Sequence, residues 1–288
     1  MKGMEVVVMK IGLVLEGGGM RGLYTAGVLD VFLESNVKVT DVVGVSAGTL
    51  FGVNFVSKQK GRAWRYNKKY VNDKRYMSVL SLLKTGNLIN KDFTYYKIPF
   101  QLDEFDNRTF KNSEINFFAT VTNIETGEAE YIKISDVFNQ MEILRATSAL
   151  PFVSEIIEEN GKKYLDGGIA DSIPVEFFKK QNFDKIIVIL TRSVDYRKKQ
   201  SNSLLYRLFY GKYPRLVDKL ENRYKNYNNT VEKIIELEKN NEIFVIRPSK
   251  AITIKRLEKD INKLQHIYEL GKKDGHDIIG KLKKYLAE

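Results

Sequence analysis

The feature that most constrains the fold is a strand–helix–strand–helix pattern near the start of the chain. Residues 10–15 (KIGLVL) form a short apolar run that ends in three glycines, which indicates a buried strand. Apolar residues then recur at helical spacing over 22–34, and residues 41–45 (DVVGV) form a second apolar run before a Ser-Ala-Gly turn and another helical stretch. This order favours a parallel sheet with crossover helices.

The rest of the chain continues as a mixture of strands and helices. Residues 61–100 have no clean period and are expected to form helix plus loop. After Ser201 the pattern is mostly helical, with Asn-rich breaks expected at 226–229 and 240–241. Further strand candidates are residues 115–121, 130–134, 185–190 and 243–246.

Composition excludes several kinds of chemistry. The chain has no cysteine, so it holds no disulfide framework, no thiolate metal site and no cysteine nucleophile. Its only histidines are His266 and His276, and any imidazole chemistry must use one of them. No run approaches the roughly 18 apolar residues that a membrane span needs. Glu5 and Lys10 interrupt the apolar start and no small-residue cleavage site follows, so we expect no secretory signal and a cytoplasmic protein.

Positive charge is concentrated in the last third of the sequence. The formal net charge is +11, and the residues from Arg197 onward include 22 basic and 12 acidic side chains. A basic flank on a nearly neutral body suggests an anionic partner, such as phospholipid headgroups or nucleic acid. The alternative is a solvated, lysine-rich helical face. We expect peripheral contact with an anionic membrane and no nucleic acid partner.

Gly44-Val45-Ser46-Ala47-Gly48 matches G-x-S-x-G between an apolar strand and a helix, which is the context that this motif requires. Small residues two positions either side, Gly44 and Gly48, let the backbone fold sharply enough to expose the serine hydroxyl. The following helix offers its positive N-terminus to developing negative charge. Ser46 is therefore a candidate nucleophile, and the alternative is a tight turn with a capping serine.

The loop Gly17-Gly18-Gly19-Met20-Arg21-Gly22 separates the first strand from the first helix. It fits G-x-G-x-x-G, but a dinucleotide site also needs an acidic residue at the end of the second strand, whereas Asp41 stands at its beginning. The loop is better suited to hold an oxyanion with backbone N–H groups, and successive glycines let a substrate carbonyl approach closely. Arg21 is expected either to fix the loop or to meet a phosphate.

Asp166-Gly167-Gly168 is by itself a common turn, and its interest lies in the base that Ser46 needs. Chain order permits a Ser46–Asp166–His266 triad. However, His266 has no loop character and His276 lies in a charged tail, so each is better interpreted as a surface or packing histidine.

Together and in this order, EGGGMRG (16–22), GVSAG (44–48) and DGG (166–168) resemble the patatin-like phospholipase family of serine acyl hydrolases, in a form that looks bacterial. Residues 146–151 (ATSALP) also resemble the family's block between the nucleophile and the aspartate. Glu16 stands where many relatives have Asp, and we expect little effect because it lies outside the glycine row.

This resemblance covers about residues 9–191 and implies a three-layer α/β/α sandwich with a mostly parallel central sheet. The chain would thus consist of a patatin-like catalytic core over 9–191 and a basic, mostly helical C-terminal region over 192–288, packed on the core. No motif in the second part suggests a role.

The resemblance also implies a Ser–Asp dyad in place of a triad. Carried over by position, Ser46 is the nucleophile, Asp166 is its base, and the amides around Gly18, Gly19 and Met20 form the oxyanion hole. Such a dyad requires neither metal nor organic cofactor. It implies hydrolysis of a carboxylic ester of a phospholipid or lysophospholipid through an acyl-enzyme.

Three other functions remain open. One is a general esterase or thioesterase on soluble acyl groups, the second is a non-catalytic module that binds acidic lipids or nucleic acid, and the third is a dinucleotide-binding oxidoreductase. Residues 204–213 (LLYRLFYGKY) mix aromatic and basic side chains as a membrane-contacting helix does. The usual burial of apolar helix faces instead favours a helix packed on the sheet.

Overall fold

The computed structural model describes residues 9–288, so the start of the chain, on which the expected absence of a secretory signal depends, lies partly outside the described residues. The strands of the described part are β1 (Ile11–Leu15), β2 (Asp41–Val45), β3 (Asn116–Asn123), β4 (Ala129–Ile134), β5 (Ile157–Glu159), β6 (Lys162–Asp166), β7 (Lys185–Ile189) and β8 (Phe244–Ile246).

The helices fill the intervals between these strands and most of the chain after β7. They are α1 (Leu23–Glu34), α2 (Ala47–Val56), α3 (Arg62–Tyr70), α4 (Val79–Thr85), α5 (Asn107–Lys111), α6 (Met141–Ala146), α7 (Val175–Lys179), α8 (Ser203–Tyr210), α9 (Pro214–Lys239) and α10 (Ile261–Ala287). A π-helix spans Asp92–Leu102, and short 3₁₀ turns span Gly19–Gly22 and Gly167–Ile169.

Within residues 9–288, the eight strands belong to one sheet, in the order β5-β6-β3-β2-β1-β7-β8, with β4 also paired to β3. Five neighbouring strands run parallel to one another: β3, β2, β1, β7 and β8. The pairings of β4 and β6 with β3, and of β5 with β6, are antiparallel. The chain moves from β1 to β2 and β3 on one side and returns to β7 on the other. The carboxyl ends of β1 and β7 therefore flank a topological switch point, where open α/β sheets bind their ligands.

Strand β3 aligns the ends of two strands that are distant in sequence. Its residues Asn116–Thr120 pair with β2, and Val121–Asn123 pair with β6. Because β4 pairs with β3 over Phe117–Thr122, it occupies one edge of β3, and β2 and β6 must share the other edge. Since β2 is parallel and β6 antiparallel to β3, their carboxyl ends meet beside Thr120 and Val121.

Side chains alternate between the two faces of the sheet, as expected for buried strands. On β1, Leu13 and Leu15 pack into one core with α1, α2 and α10, while Val14 packs into a second core. That second core contains α7 and the C-terminal half of α9. The three-layer α/β/α arrangement with a mostly parallel sheet is thus confirmed.

The region after residue 192 contributes to the same layers. Strand β8 pairs with β7 at the sheet edge. Helix α10 packs on α1, where the Tyr268 hydroxyl donates to Asp30 Oδ2 at 2.5 Å, and the single tryptophan, Trp64, stacks on Tyr268 with ring centroids 5.5 Å apart. Whether 9–191 and 192–288 are separate folding units stays a prediction.

The structure differs from the sequence-based prediction at three places. The expected break at 226–229 was wrong, because α9 runs through it: Tyr227 faces the core, and Asn228 exchanges two hydrogen bonds with the backbone of Lys198. The sequence did not predict the short strands β5 and β6, because their lysines and glutamates interrupt the apolar pattern that is typical of a strand.

Helix α8 is the third difference. It was expected to bury an apolar face on the sheet, but its large apolar side chains are 48–75% exposed. These are Leu204, Leu205, Leu208 and Phe209.

The substitution Ile234→Ala on α9 is expected to lower the free energy of unfolding by about 2–5 kcal/mol, because Ile234 is fully buried against the sheet. Urea unfolding followed by far-UV circular dichroism and by Trp64 fluorescence measures this change on both faces of the sheet.

If the C-terminal region folds with the core, both probes report one transition and shift together. Lys225→Ala, on the exposed side of the same helix, is the control and should leave the transition unchanged. Two separate transitions, with Trp64 unaffected by Ile234→Ala, would contradict the prediction.

Candidate active site

Ser46 lies on a sharp turn between β2 and α2. Its backbone has φ 54° and ψ −122°, an unusual and strained conformation for a residue other than glycine. No larger residue fits at the two flanking glycines without a steric clash. A Cβ on Gly44 would lie 2.7 Å from the Thr49 nitrogen, and one on Gly48 would lie 2.5 Å from the Leu15 oxygen. This turn has the geometry that the G-x-S-x-G motif predicts.

Ser46 and Asp166 are in direct contact, although 120 residues separate them. The Ser46 hydroxyl donates to Asp166 Oδ2 at 2.8 Å, and the Gly168 N–H donates to Asp166 Oδ1 at 2.8 Å. Relative exposure is only 9% for Ser46 and 2% for Asp166. Gly167 and Gly168 form the turn that follows β6 and hold the carboxylate in this orientation.

Residues 147–149 connect to both members of this pair. The Ser46 N–H donates to Thr147 Oγ1 at 3.0 Å, and that hydroxyl donates to the Thr120 carbonyl at 2.6 Å. The Asp166 N–H donates to the Ala149 carbonyl at 2.8 Å. Thr147 is thus a positioning residue that the sequence did not single out; its only signal was its place in the ATSALP block.

The glycine loop follows β1 beside Ser46, and Gly19 has a left-handed φ of 58°. Within residues 9–288, the N–H groups of Gly18, Gly19 and Ala47 have no hydrogen-bond acceptor. Met20 does not have the predicted role, because its N–H donates to the Arg256 carbonyl at 2.9 Å and is not free to bind an oxyanion. Ala47 was not predicted, although the residue after a nucleophilic serine commonly supplies such a donor.

The rest of the loop is tied into the surrounding structure. Glu16 is buried and accepts hydrogen bonds from the Tyr227 hydroxyl at 2.8 Å and the Thr191 hydroxyl at 3.0 Å, which links the loop to α9. Arg21 is only 7% exposed, and its Nε has no partner among the described residues. At Gly22 the 3₁₀ turn gives way to α1.

Ser46 and Asp166 open into a cavity of about 440 Å³. One part of it is apolar and is lined by side chains from α2, the π-helix, α6 and their neighbours. These apolar side chains include Leu50, Phe51, Ile98, Phe105, Met141 and Leu144. The other part is lined by basic side chains: Arg21, Arg192, Lys198, Arg223 and Arg256.

The basic part of the cavity perturbs its own titratable groups. Burial, followed by the charge of Arg223, lowers the pKa of Lys198 to about 6. Burial, followed by the charge of Arg192, lowers the pKa of Arg21 to about 10. Four of these five cations belong to the region after residue 191, where the sequence offered no motif.

Neither histidine takes part in the site. His266 and His276 are exposed on α10 and do not line the cavity, and His276 Nε2 lies 3.5 Å from Glu34. The structure therefore does not bring a histidine to Ser46. Over residues 9–288, no group of three His, Asp or Glu side chains is arranged to hold a metal ion.

Two family models match parts of the chain. The family model described as patatin-like phospholipase matches residues 13–179, more than half of the chain. The chain belongs to the patatin-like phospholipase family. Membership makes it a lipid hydrolase of the phospholipase class. A second family model, a domain of unknown function (DUF6363), matches residues 213–287.

Individual relatives extend this result. Uncharacterized protein YjjU of Escherichia coli K12 is 28% identical over 287 residues, covering 97% of this chain and 80% of its own. Lysophospholipase nte1 of Aspergillus fumigatus is 29% identical over 199 residues, covering 64% of this chain but only 12% of its own length. The crystal structure of VipD from Legionella pneumophila aligns with a TM-score of 0.43 and 13% identity, over 95% of this chain and 67% of that one.

None of the helices within residues 9–288 is both long and apolar enough to cross a bilayer.

Replacing Thr147 by Val removes the acceptor of the buried Ser46 N–H while keeping the side-chain shape. We expect the free energy of unfolding to fall by about 1–3 kcal/mol and kcat on a p-nitrophenyl ester to fall with it, because the strained turn loses a support. Urea unfolding and steady-state kinetics measure the two effects. Thr147→Ser keeps the hydroxyl and should restore most of both; a Val variant with the parent's kcat would contradict the positioning role.

Proposed function

We propose that the chain is a serine acyl hydrolase that cleaves a carboxylic ester of a phospholipid or lysophospholipid through a Ser46–Asp166 dyad. The observation that carries this proposal is the 2.8 Å hydrogen bond from Ser46 to a buried carboxylate at the wall of a largely apolar cavity. Family membership and the similarity to a lysophospholipase over 199 residues support the same substrate class.

In the first step, Ser46 Oγ attacks the ester carbonyl carbon while its proton moves to Asp166 Oδ2. A carboxylate is a weak base for a hydroxyl in water, so proton transfer and attack must be concerted. The bond from the Gly168 N–H to Asp166 Oδ1 keeps Oδ2 aimed at the serine. Collapse of the tetrahedral intermediate releases the alcohol, which takes the proton from Asp166, and leaves an acyl-Ser46 ester.

The negative charge that develops on the carbonyl oxygen needs fixed donors. The free N–H groups of Gly18, Gly19 and Ala47 border the same turn and are suited to bind it. In the second step Asp166 accepts a proton from water as the water attacks the acyl-enzyme. The fatty acid then leaves, and Ser46 regains its proton from Asp166.

The shape of the cavity suits a single acyl chain. Its apolar part, from Leu50 and Phe51 on α2 to Met141 and Leu144 on α6, offers hydrophobic contact along a hydrocarbon chain. A volume of about 440 Å³ lies within the usual range of small-molecule sites.

We further propose that the enzyme contacts an anionic bilayer peripherally through an apolar patch on α4, α8 and the turn at Phe152. The patch consists of Val79, Leu80, Leu83, Phe152, Leu204, Leu205, Leu208 and Phe209, which are 40–80% exposed. The turn at Phe152 connects α8 to α4. The Phe152 ring stacks on Tyr206 of α8 with ring centroids 5.6 Å apart, and the Val153 carbonyl accepts a hydrogen bond from the Leu88 N–H, in the segment after α4.

An anionic bilayer is the occupant that this surface favours. Exposed apolar patches of this kind mark contact sites, and amphipathic helices with basic flanks bind anionic lipid. Exposed cations accompany the patch, among them Lys84, Lys212 and Arg215, whereas Arg207 is paired with Glu221. A cytoplasmic location stays a prediction.

The dyad is tested by hydrolysis of a lysophospholipid and of a p-nitrophenyl ester. We expect Ser46→Ala to lose acyl-enzyme turnover and Asp166→Asn to lower kcat by about 10²–10⁴, because the general base is removed. The double variant His266→Ala/His276→Ala is the control and should keep the parent's kcat. Loss of activity in that control would contradict the dyad and indicate a triad.

Membrane contact is tested by sedimentation with phosphatidylglycerol-containing vesicles. Lys212→Gln/Arg215→Gln should reduce the bound fraction at low salt, and Leu208→Ser/Phe209→Ser should reduce it at low and high salt. Lys225→Gln/Lys239→Gln removes the same charge from exposed positions on α9 and is the matched control. Equal sedimentation of the parent and the Lys212/Arg215 variant at low salt would refute the proposal.

A further inference from the structure

We propose that the basic part of the cavity is a phosphate subsite beside Ser46, which selects lysophospholipids that carry an anionic phosphomonoester headgroup. This inference deepens the proposed function and rests on it. The subsite consists of Arg21 and four cations from the C-terminal region, Arg192, Lys198, Arg223 and Arg256.

These cations surround the elements that hold the reacting groups. The Arg256 carbonyl binds the Met20 N–H, and a Cβ on Gly19 would lie 2.6 Å from Arg256 Cγ, so Arg256 packs on the glycine loop. Arg223 Nε donates to the Gly168 carbonyl at 2.5 Å, in the turn that orients Asp166. The positive charge therefore lies next to the ester-cleaving pair.

Lys198 and Arg192 complete the subsite. Lys198 Nζ lies 3.5 Å from Ser172 Oγ and 4.0 Å from the centroid of the Tyr227 ring. The Arg192 guanidinium lies 4.1 Å from the centroid of the Tyr196 ring. Aromatic walls of this kind hold cations in place but do not neutralise their charge.

The five cations have no carboxylate partner of their own. Within residues 9–288, none of them forms a salt bridge within 4.0 Å. The two acidic side chains that line the cavity are already engaged: Glu16 by Tyr227 and Thr191, and Asp166 by Ser46 and Gly168. Arg21, only 7% exposed, has an Nε with no acceptor. The buried charge of Arg21 is costly without a carboxylate partner, and the other four side chains are half-buried around the same space, so this arrangement favours a bound anion.

The titration of the cluster agrees with this geometry. The pKa values of Lys198, Arg21 and Arg223 are all lowered, first by burial and next by a neighbouring cation. With a pKa of about 6, Lys198 is largely uncharged at pH 7 in the absence of an anion, so the four arginines carry the positive charge of the cavity. A bound phosphate would offset both causes by supplying negative charge, and it would thereby favour the charged form of Lys198.

The surplus of cations over carboxylates determines which headgroup fits. Several guanidinium groups around one small space suit the planar, two-point hydrogen bonding that arginine makes with phosphate oxygens. A phosphomonoester carries up to two negative charges at neutral pH. A choline headgroup would bring a quaternary ammonium toward the same cations, and the like charges would repel.

Binding to Ser46→Ala protein tests the subsite without turnover. We expect oleoyl lysophosphatidate to bind at least about tenfold more tightly than oleoyl lysophosphatidylcholine or monooleoylglycerol, all below their micelle concentrations. Arg256→Gln and Arg192→Gln, each in the Ser46→Ala background, should reduce this preference about tenfold, as the loss of a charge-assisted hydrogen bond predicts. Lys225→Gln, an exposed charge change on α9, is the matched control and should leave the preference intact.

Competition with inorganic phosphate separates a lipid headgroup from a free phosphate. If the headgroup occupies the subsite, phosphate displaces lysophosphatidate and Arg256→Gln weakens both ligands. If Arg256→Gln weakens inorganic phosphate but leaves the preference among the lipids unchanged, the cluster holds a free anion and the inference is overturned.

Two other outcomes also decide the matter. Equal affinity for the three lipids, or a lysophosphatidate preference that survives both arginine substitutions, refutes the subsite even if the unmodified enzyme hydrolyses esters. Conversely, folded enzyme that hydrolyses no ester refutes the proposed function, while an arginine-dependent preference in the binding assay would still support a phosphate site.

Discussion

The site depends on one constraint, the end-to-end meeting of β2 and β6 along a single edge of β3. Because both strands take their register from β3, the residues at and just after their carboxyl ends are brought together by backbone hydrogen bonds. Thr147 then links the two ends, since its hydroxyl accepts the Ser46 N–H after β2 and its carbonyl accepts the Gly167 N–H after β6 at 3.3 Å. A serine and an aspartate 120 residues apart are thereby fixed at 2.8 Å by the sheet itself.

The second organising element is the region after β7, which closes the site rather than extending away from it. Tyr227 on α9 binds Glu16, Arg223 binds the turn after Asp166, and Arg256 binds the glycine loop. The segment matched by the patatin-like phospholipase model supplies the reacting pair and the apolar part of the cavity. The remainder of the chain supplies most of its positive charge.

Much of the architecture was predictable because its signals are local. The apolar runs of β1, β2 and β7 and the glycines around Ser46 follow from short-range periodicity and from turn sterics. Thr147, Arg223 and Arg256 were not predictable, since their roles depend on contacts across the fold and their sequence neighbourhoods look ordinary. The amide of Met20 shows the same limit: its place in the loop suggested an oxyanion donor, but it donates its hydrogen bond to the Arg256 carbonyl, more than 200 residues later in the chain. The asparagines at 226–229 suggested a helix break that does not occur, for a related reason. The hydrogen bonds between Asn228 and the Lys198 backbone are tertiary contacts that outweigh the low helix propensity of asparagine.

The central claim is that the Ser46–Asp166 pair is itself the reactive centre. The most direct measurement is the rate and site of phosphonylation by an alkyl fluorophosphonate, followed by intact mass and peptide mapping. We expect one adduct, on Ser46, formed at least about a hundredfold more slowly in Asp166→Asn and at the parent's rate when both histidines are replaced. An adduct on another residue, or a rate on Ser46 that is indifferent to Asp166, would contradict it.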